Sequence, residues 1–215
     1  EVGAALEGGF NFLDAQMATE TCPATCRFQE HLQQKHLDSV DDMRIIDNDD
    51  FFCEFSDVPF KNNQIAYEHF RDQLYAHVLQ PLHDRFGIDI SREAIMQAVE
   101  QQNEVSRLIR EIGDYRKLDN PTITGYEFHV IQLCTLVCPK YLILPYLRET
   151  LEEIKARRPD RKNPYRARVA IVGSEIDDHN LTKLIEGCGA LVVSDRYCFD
   201  STPGREVIEL NDEED

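Results

Sequence analysis

The strongest structural signal in this sequence is an apolar run, a predicted short helix and a second apolar run near its carboxyl terminus. The run 168–174 predicts a strand of the kind that parallel sheets bury, because it is rich in Val and Ile and ends in small residues. A helix is predicted over 180–187 and a second strand over 190–194. A β-α-β unit implies a right-handed crossover, parallel strands and a ligand beyond their carboxyl ends. At that position lie Gly173, Ser174 and the loop 195–201.

The middle of the chain has the apolar spacing of amphipathic helices. Apolar residues recur every four or five positions over 64–86, where Pro81 predicts a kink and Gly87 an end. A second helix is predicted from its cap at Ser91 to about Leu118.

A third helical stretch begins at the cap Thr124, is interrupted at Pro139 and resumes over 141–156. The segment 157–164 that follows is basic and contains two prolines, which is typical of a linker. We therefore expect a boundary there.

The amino-terminal part shows weaker signals. A short helix is predicted to run towards a strand or loop at 18–21. Another helix is predicted just after Cys22, because Pro23 suits a first helical turn. The runs 43–46 and 51–55 predict two short strands or one interrupted strand.

These elements predict an α/β fold, with parallel-sheet Rossmann-like or flavodoxin-like pieces flanking a helical middle segment. The predicted segments are 1–60 as the carboxyl-terminal part of a first α/β domain, 61–164 as the helical segment, and 165–215 as the start of a second α/β domain.

The charge balance restricts the binding partners. The chain has 40 acidic and 23 basic residues, a net charge of −17. A nucleic-acid-binding protein needs a basic face, so this balance argues against DNA and RNA unless one local patch escapes the average. Anionic membranes are disfavoured for the same reason, and no run approaches the roughly 18 to 20 apolar residues of a membrane-spanning helix.

Seven cysteines in a chain too large to need disulfide cross-links favour reduced thiols, and hence a cytoplasmic protein. The chain opens at Glu1 without Met or signal peptide, so we expect it to be a piece of a longer protein.

Two cysteine positions could carry chemistry. Cys22 precedes a predicted helix, where backbone N–H groups favour the thiolate that binds metal, and Cys26 follows one helical turn later. Cys198 follows the last predicted strand, where α/β proteins place ligands. The remaining cysteines are predicted to be packing residues: Cys53, Cys134, Cys138 and Cys188.

Other catalytic and cofactor motifs are absent from the sequence. No Walker loop, nucleophile elbow, dinucleotide-binding glycine motif or zinc-type Cys/His spacing occurs. The histidines of the first long helix are predicted to be surface residues: His69, His77 and His83.

Four stretches, in this order, resemble the D-component family of (R)-2-hydroxyacyl-CoA dehydratases, which also includes related benzoyl-CoA reductase subunits. The stretches are Thr21-Cys22 before a helix, Ser56-Asp57-Val58-Pro59-Phe60, the helix from Ile88-Asp89-Ile90-Ser91 to Arg116-Lys117 with the following Pro121-Thr122-Ile123-Thr124-Gly125, and 168–173 through 189–198.

The resemblance implies an iron-sulfur cluster, of the [4Fe-4S] type, held by three cysteines. Matching positions make Cys22 and Cys198 two of the ligands, with the third upstream of Glu1. Two departures bear on this assignment: Pro23 stands where the family usually has an acidic residue, and Cys26 is an alternative to Cys22.

The resemblance also implies anaerobic radical chemistry. An ATP-dependent activator protein reduces the cluster, the thioester carbonyl becomes a ketyl radical that expels hydroxide, and the product is an enoyl-CoA. A homologous second subunit and an acyl-CoA substrate are the implied partners, with Gly173 and Ser174 as candidate substrate-lining residues. The piece alone is expected to be inactive.

Three other interpretations remain open at this point. The chain could be a related reductase of the benzoyl-CoA type, a non-catalytic scaffold subunit with structural cysteines, or a flavodoxin-like binding domain of another function.

Overall fold

We describe a computed structural model of the chain, which covers residues 2–33, 46, 48, 50–159, 165–173, 176–196 and 206–209. The chain divides into two compact units, an amino-terminal unit Glu1–Ser91 and a carboxyl-terminal unit Arg92–Asp215. The sequence-based division at 60 and 164 stays a prediction.

The amino-terminal unit contains a pair of parallel strands between helices. Its elements are α1 Val2–Leu6, β1 Ala15–Thr19, α2 Pro23–Gln33, β2 Phe52–Ser56, α3 Gln64–Leu74, a π-helical turn Tyr75–Leu79 and α4 Gln80–Phe86. The strands pair from Ala15 opposite Phe52 to Thr19 opposite Ser56. The predicted helix after Cys22 is confirmed. Strand β1 begins at Ala15, three residues before the start of the strand or loop expected at 18–21, and overlaps with it. Of the predicted strand 43–46, residues 43–45 lie outside the described residues.

Helices cover both faces of β2, whose side chains alternate between the faces. Cys53 packs against an apolar cluster that includes Leu32 of α2. On the other face, the ring centroids of Phe52 and of Phe86 in α4 lie 5.9 Å apart. The Arg85 guanidinium lies 4.2 Å from the centroid of the Phe52 ring. Two parallel strands are too few for a stable sheet without such packing.

The predicted helix 64–86 is interrupted by a wider turn. The Gln80 N–H donates to the Tyr75 carbonyl, five residues back, within the π-helical turn. This turn immediately precedes α4, whose first turn contains Pro81, a residue with no N–H to donate. Gly87 ends α4 with a φ of +65°, as predicted.

The carboxyl-terminal unit combines three long helices with a β-α-β unit. Its elements are α5 Arg92–Asp114, α6 Gly125–Val137, α7 Lys140–Ala156, β3 Ala167–Val172, α8 His179–Gly187 and β4 Ala190–Arg196. The strands are parallel, with a register shift between Val169 and Ala170. The predicted α/β class and the β-α-β unit are confirmed.

The core of this unit forms where α5 and α7 pack together and α6 adds to them. Its buried residues are Val105, Ile109, Ile112, Ile123, Phe128, Leu144, Leu147, Leu151 and Ile154.

Two helix ends of this unit bear on the predictions. Thr124 begins α6 with a capping box, because its hydroxyl accepts from the Glu127 N–H while the Glu127 carboxylate accepts from the Thr124 N–H. The prediction that α5 extends to Leu118 is wrong, since α5 ends at Asp114 and the chain continues in tighter turns, with the Arg116 N–H donating to Gly113.

Strand β3 is less buried than its apolar composition predicts. Its residues alternate between exposed and half-buried, and Val172 is 75% exposed. None of the helices that the structure describes is both long and apolar enough to span a bilayer.

Candidate functional site

In the amino-terminal unit, the carboxyl ends of β1 and β2 lie side by side, and β1 leads into α2. The Glu20 N–H donates to the Ser56 carbonyl at 3.1 Å, which extends the pairing one residue past Thr19. Cys22 directly precedes α2, and its carbonyl accepts from the Cys26 N–H at 3.0 Å, the first hydrogen bond of the helix. Cys22 therefore stands at a helix start beside the edge where parallel sheets carry ligands.

Cys22 and Cys26 are both half-buried free thiols in one helical turn. Thiolates are the usual ligands of iron-sulfur clusters, so the donor chemistry at this position fits such a group. Within the described ranges, no group of three Cys, His, Asp or Glu residues could hold a metal ion. The two thiols are therefore an incomplete ligand set by themselves.

Buried polar atoms also lie in this unit. Ser56 is 1% exposed, and its hydroxyl finds no hydrogen-bond partner among the residues that the structure describes. Gln29 of α2 donates to the Glu54 carbonyl at 3.4 Å. Leaving a buried hydroxyl unbonded costs about 1 to 3 kcal/mol.

Two histidines of this unit pair with carboxylates at its surface. His77 Nδ1 lies 3.0 Å from Glu54 Oε2, and His69 Nε2 lies 3.0 Å from Asp57 Oδ2. Their exposed fractions, 38% for the His77 side chain and 46% for the His69 side chain, agree with the predicted surface positions.

In the carboxyl-terminal unit, Gly173 leaves β3 at the carboxyl end of the strand pair. Its N–H donates to the Arg196 carbonyl at 3.1 Å, so Gly173 continues the ladder. It is exposed, and a Cβ atom placed on it would meet no heavy atom of a described residue within 4 Å. This open position could accommodate a ligand group.

A buried ion pair fixes the same end of β4. Arg116 Nη1 donates to Asp195 Oδ2 at 2.6 Å, and the two side chains are only 1% and 4% exposed. The Arg116 guanidinium also lies 3.6 Å from the centroid of the Phe128 ring. A buried, hydrogen-bonded charge pair tolerates little displacement, so Asp195 is held in one place.

His129 of α6 is buried beside this pair. Its Nδ1 lies 2.9 Å from the Thr182 hydroxyl of α8. Burial holds the pKa of His129 below its usual range, and the charge of Asp195 opposes that shift. The imidazole is therefore stabilised in its neutral form.

Glu186 joins the start of α6 to β4. Its carboxylate accepts from the N–H groups of Gly125 at 2.8 Å, Tyr126 at 3.1 Å and Val192 at 3.1 Å. Gly125 sits so close to Val192 that a Cβ atom would come within 2.6 Å of it. Only glycine fits at this helix start.

Comparison with protein families matches residues 1–215 to the family described as 2-hydroxyglutaryl-CoA dehydratase, D-component. The chain belongs to this family. The predicted resemblance is thereby confirmed, and the D-component chain is a dehydratase-related, lyase-like component. A search of curated proteins finds no match to it.

The structure describes some of the site residues predicted for this D-component chain. It places Cys22 and Cys26 in one turn, and Gly173 at the end of β3. Ser174 and Cys198 lie outside the described residues. Their assignment stays a prediction. Cys53, Cys134 and Cys138 are half-buried, whereas Cys188 is exposed, which does not fit the packing role expected for it.

Sequence reasoning did not single out Arg116, Asp195, His129 and Glu186. Arg116 and Asp195 both stand inside stretches that carry the family resemblance, Arg116 at the end of the helix in the third stretch and Asp195 near the end of the fourth. The available signal was that each charged residue follows an apolar strand or helix. The sequence does not show that the two residues pair, because 79 positions separate them along the chain.

Proposed function

We propose that this chain works as a component of an enzyme that removes water from an (R)-2-hydroxyacyl-CoA by a ketyl-radical mechanism. The family membership supports the dehydratase class. The observation that carries the finer proposal is the place of Cys22, a half-buried thiol at the start of α2 and at the carboxyl edge of a parallel strand pair.

Cys22 and Cys198 would hold a [4Fe-4S] cluster in this proposal, with Cys26 as the alternative to Cys22. When bound, the cluster would supply a single electron for the thioester carbonyl of the substrate. Thiol donors are the right chemical class, and Cys22 directly precedes a helix rather than lying in a long loop.

The chain's own residues position the reacting groups. No described residue fills the space beside Gly173 at the carboxyl end of β3, where Gly173 and Ser174 would line the acyl-CoA substrate. Asp195 lies three residues before Cys198 and forms an ion pair with Arg116. This pair would fix the position at which the chain leaves β4 towards Cys198. A homologous second subunit and an ATP-dependent activator in the cytoplasm complete the proposed system.

The test is the iron and acid-labile sulfide content of the natural protein, purified without oxygen. Cys22→Ser and Cys198→Ser should each lose most of the iron and the visible absorption, because each removes a ligand. Cys134→Ser is the matched control, since Cys134 is a half-buried thiol on α6 and should keep both. Circular dichroism checks that every variant is folded.

The outcomes separate the alternatives. Loss of iron in Cys26→Ser but not in Cys22→Ser would assign the ligand to Cys26, one helical turn further along the chain. Equal iron in all variants, or none in the wild type, would contradict the cluster and favour a scaffold subunit. An iron-containing protein that reduces an aromatic acyl-CoA, and does not form an enoyl-CoA, would place it with the benzoyl-CoA-type reductases.

A further inference from the structure

The positive charge of the chain is concentrated in one short segment. Residues 155–168 contain seven of the 23 Lys and Arg residues of the chain and a single acidic residue, whereas the chain as a whole carries a net charge of −17. The dehydratase proposal gives this segment no role. A local patch of this kind is the exception to the argument that the overall charge repels phosphate.

Described residues of this segment, together with residues from 119 to 127, line a cavity of about 880 Å³ in the carboxyl-terminal unit. We call it the arginine cleft. Its volume lies within the range of sites for small molecules and cofactors. The residues that define it here are Arg157, Arg158, Arg166, Arg168, Tyr126 and Tyr165.

Two of the arginines form part of the cleft wall. Arg157 pairs with Glu127, with a distance of 2.8 Å between Nη1 and Oε1. Arg168 donates to the carbonyls of Lys117 at 3.0 Å and Leu118 at 2.5 Å. These contacts fix the guanidinium groups, and in the described part of the chain no carboxylate pairs with Arg168.

The other two arginines are available to a ligand. Arg158 and Arg166 are exposed, and neither side chain makes a hydrogen bond or ion pair with another residue in the described ranges. Among the described residues, the carboxylates on the cleft are Asp119 and Glu127, and Glu127 already faces Arg157. The described part of the cleft is therefore basic, with two guanidinium groups that no described carboxylate pairs.

Aromatic rings continue this surface into an adjoining cavity of about 410 Å³. Tyr126 and Tyr165 line both cavities. The Lys183 ammonium lies 5.2 Å from the centroid of the Tyr126 ring. Tyr126 and Tyr165 are both half-buried, and cations beside aromatic rings suit a ligand that joins phosphate groups to a planar base.

The arginine cleft lies at the amino ends of β3 and β4. Arg166 directly precedes β3, and its N–H donates to the Gly189 carbonyl at 2.7 Å just before β4. Gly173 marks the opposite end of β3, and six strand residues span about 20 Å. The cleft is therefore separate from the carboxyl edge that the proposed function uses.

We propose that the arginine cleft is a binding site for a nucleotide with two or more phosphate groups. Arg158 and Arg166 bind the phosphates, the fixed Arg168 adds charge, and the tyrosines contact the base. This ligand chemistry has two sources, a free adenine nucleotide and the phosphorylated nucleotide end of coenzyme A. The second source rests on the proposed function, whereas the first does not.

The experiment titrates the full 215-residue chain with ADP, coenzyme A, inorganic pyrophosphate and adenosine by isothermal calorimetry. We expect saturable one-to-one binding of ADP or coenzyme A with a Kd below about 1 mM, weaker binding of pyrophosphate and none of adenosine. Arg158→Ala and Arg166→Ala should each weaken the binding about tenfold, because a hydrogen bond to a charged group is lost. Arg107→Ala is the matched control, as Arg107 is an exposed arginine of the same unit on α5.

Preference for coenzyme A over ADP by tenfold or more would support the coenzyme source, and equal affinities would support a free nucleotide. No saturable binding of any probe would overturn the proposal, as would binding that the cleft variants and the Arg107 variant weaken equally. The readout is independent of iron content, so failure here leaves the dehydratase proposal standing, and loss of the cluster leaves the cleft unaffected.

Discussion

The two units each contain a pair of parallel strands, and the pairs are stabilised in different ways. β1 and β2 are covered by helices through apolar and aromatic contacts such as that between Phe52 and Phe86. β3 and β4 are tied to their helices by polar groups, the Arg116 to Asp195 ion pair and the Glu186 carboxylate. The hydrophobic effect is non-directional, whereas a buried, hydrogen-bonded charge pair requires one geometry. The comparison indicates that the carboxyl-terminal pair is the more exactingly positioned of the two.

The largest effect is expected from Arg116→Ala. It leaves the Asp195 carboxylate buried without its cation, and breaking such a pair lowers the free energy of unfolding by about 3 to 5 kcal/mol. Urea unfolding followed by circular dichroism measures the change. Arg148→Ala, which removes an exposed arginine paired with Glu104, is the control and should cost much less. Similar losses in both variants would show that burial of the pair is unimportant.

A smaller loss is expected from Gly125→Ala. The added Cβ would stand 2.6 Å from Val192, so α6 must move away from β4, at a cost of about 1 to 3 kcal/mol. Gly173→Ala adds the same atom where no described residue lies within 4 Å and should change the free energy of unfolding little. Equal stability of the two variants in thermal denaturation would contradict the close approach of Gly125 to Val192.

Acidification should destabilise the carboxyl-terminal unit through His129. The pKa of His129 is lowered by burial, so below the ordinary value of about 6.5 the unfolded chain binds more protons than the folded one. Stability is therefore retained above that pH and lost as the pH falls towards the lowered pKa. In His129→Asn, unfolding between pH 7 and pH 5 should depend less on pH, and an unchanged slope would contradict this assignment.

The smallest effect is expected in the amino-terminal unit. Ser56→Ala removes a buried hydroxyl that no described residue bonds, so the free energy of unfolding should stay the same or rise by up to about 1 kcal/mol. Ser106→Ala is the comparison, because the Ser106 hydroxyl donates to the Gln102 carbonyl at 3.0 Å. A loss in Ser56→Ala as large as in Ser106→Ala would point to a partner for the Ser56 hydroxyl.

Local signals made much of this fold predictable. The capping box at Thr124, the glycine that ends α4 and the apolar spacing of α5 and α7 act within a few residues, so the sequence shows them directly. Strand β1 was harder, because Ala15–Thr19 has no strongly β-prone pattern and is held by its pairing with β2, more than thirty residues away.

The candidate site was less predictable than the fold for the same reason. Cys22 could be placed from the helix that follows it, but the pairing of Arg116 with Asp195 depends on two elements that meet only in the folded chain. The arginine cleft is intermediate: the charge of its segment is visible in the sequence, whereas the cavity and its tyrosines are not.

The π-helical turn Tyr75–Leu79 sets the direction in which the side chains of α4 point relative to those of α3. Each residue of an α-helix advances the side-chain direction by about 100°, and the wider turn takes up one extra residue without that advance. With His77 facing Glu54, a regular helix of the same length would turn Phe86 away from Phe52. Inserting or deleting one residue before α4 would therefore rotate all the side chains of α4 about the helix axis by about 100°.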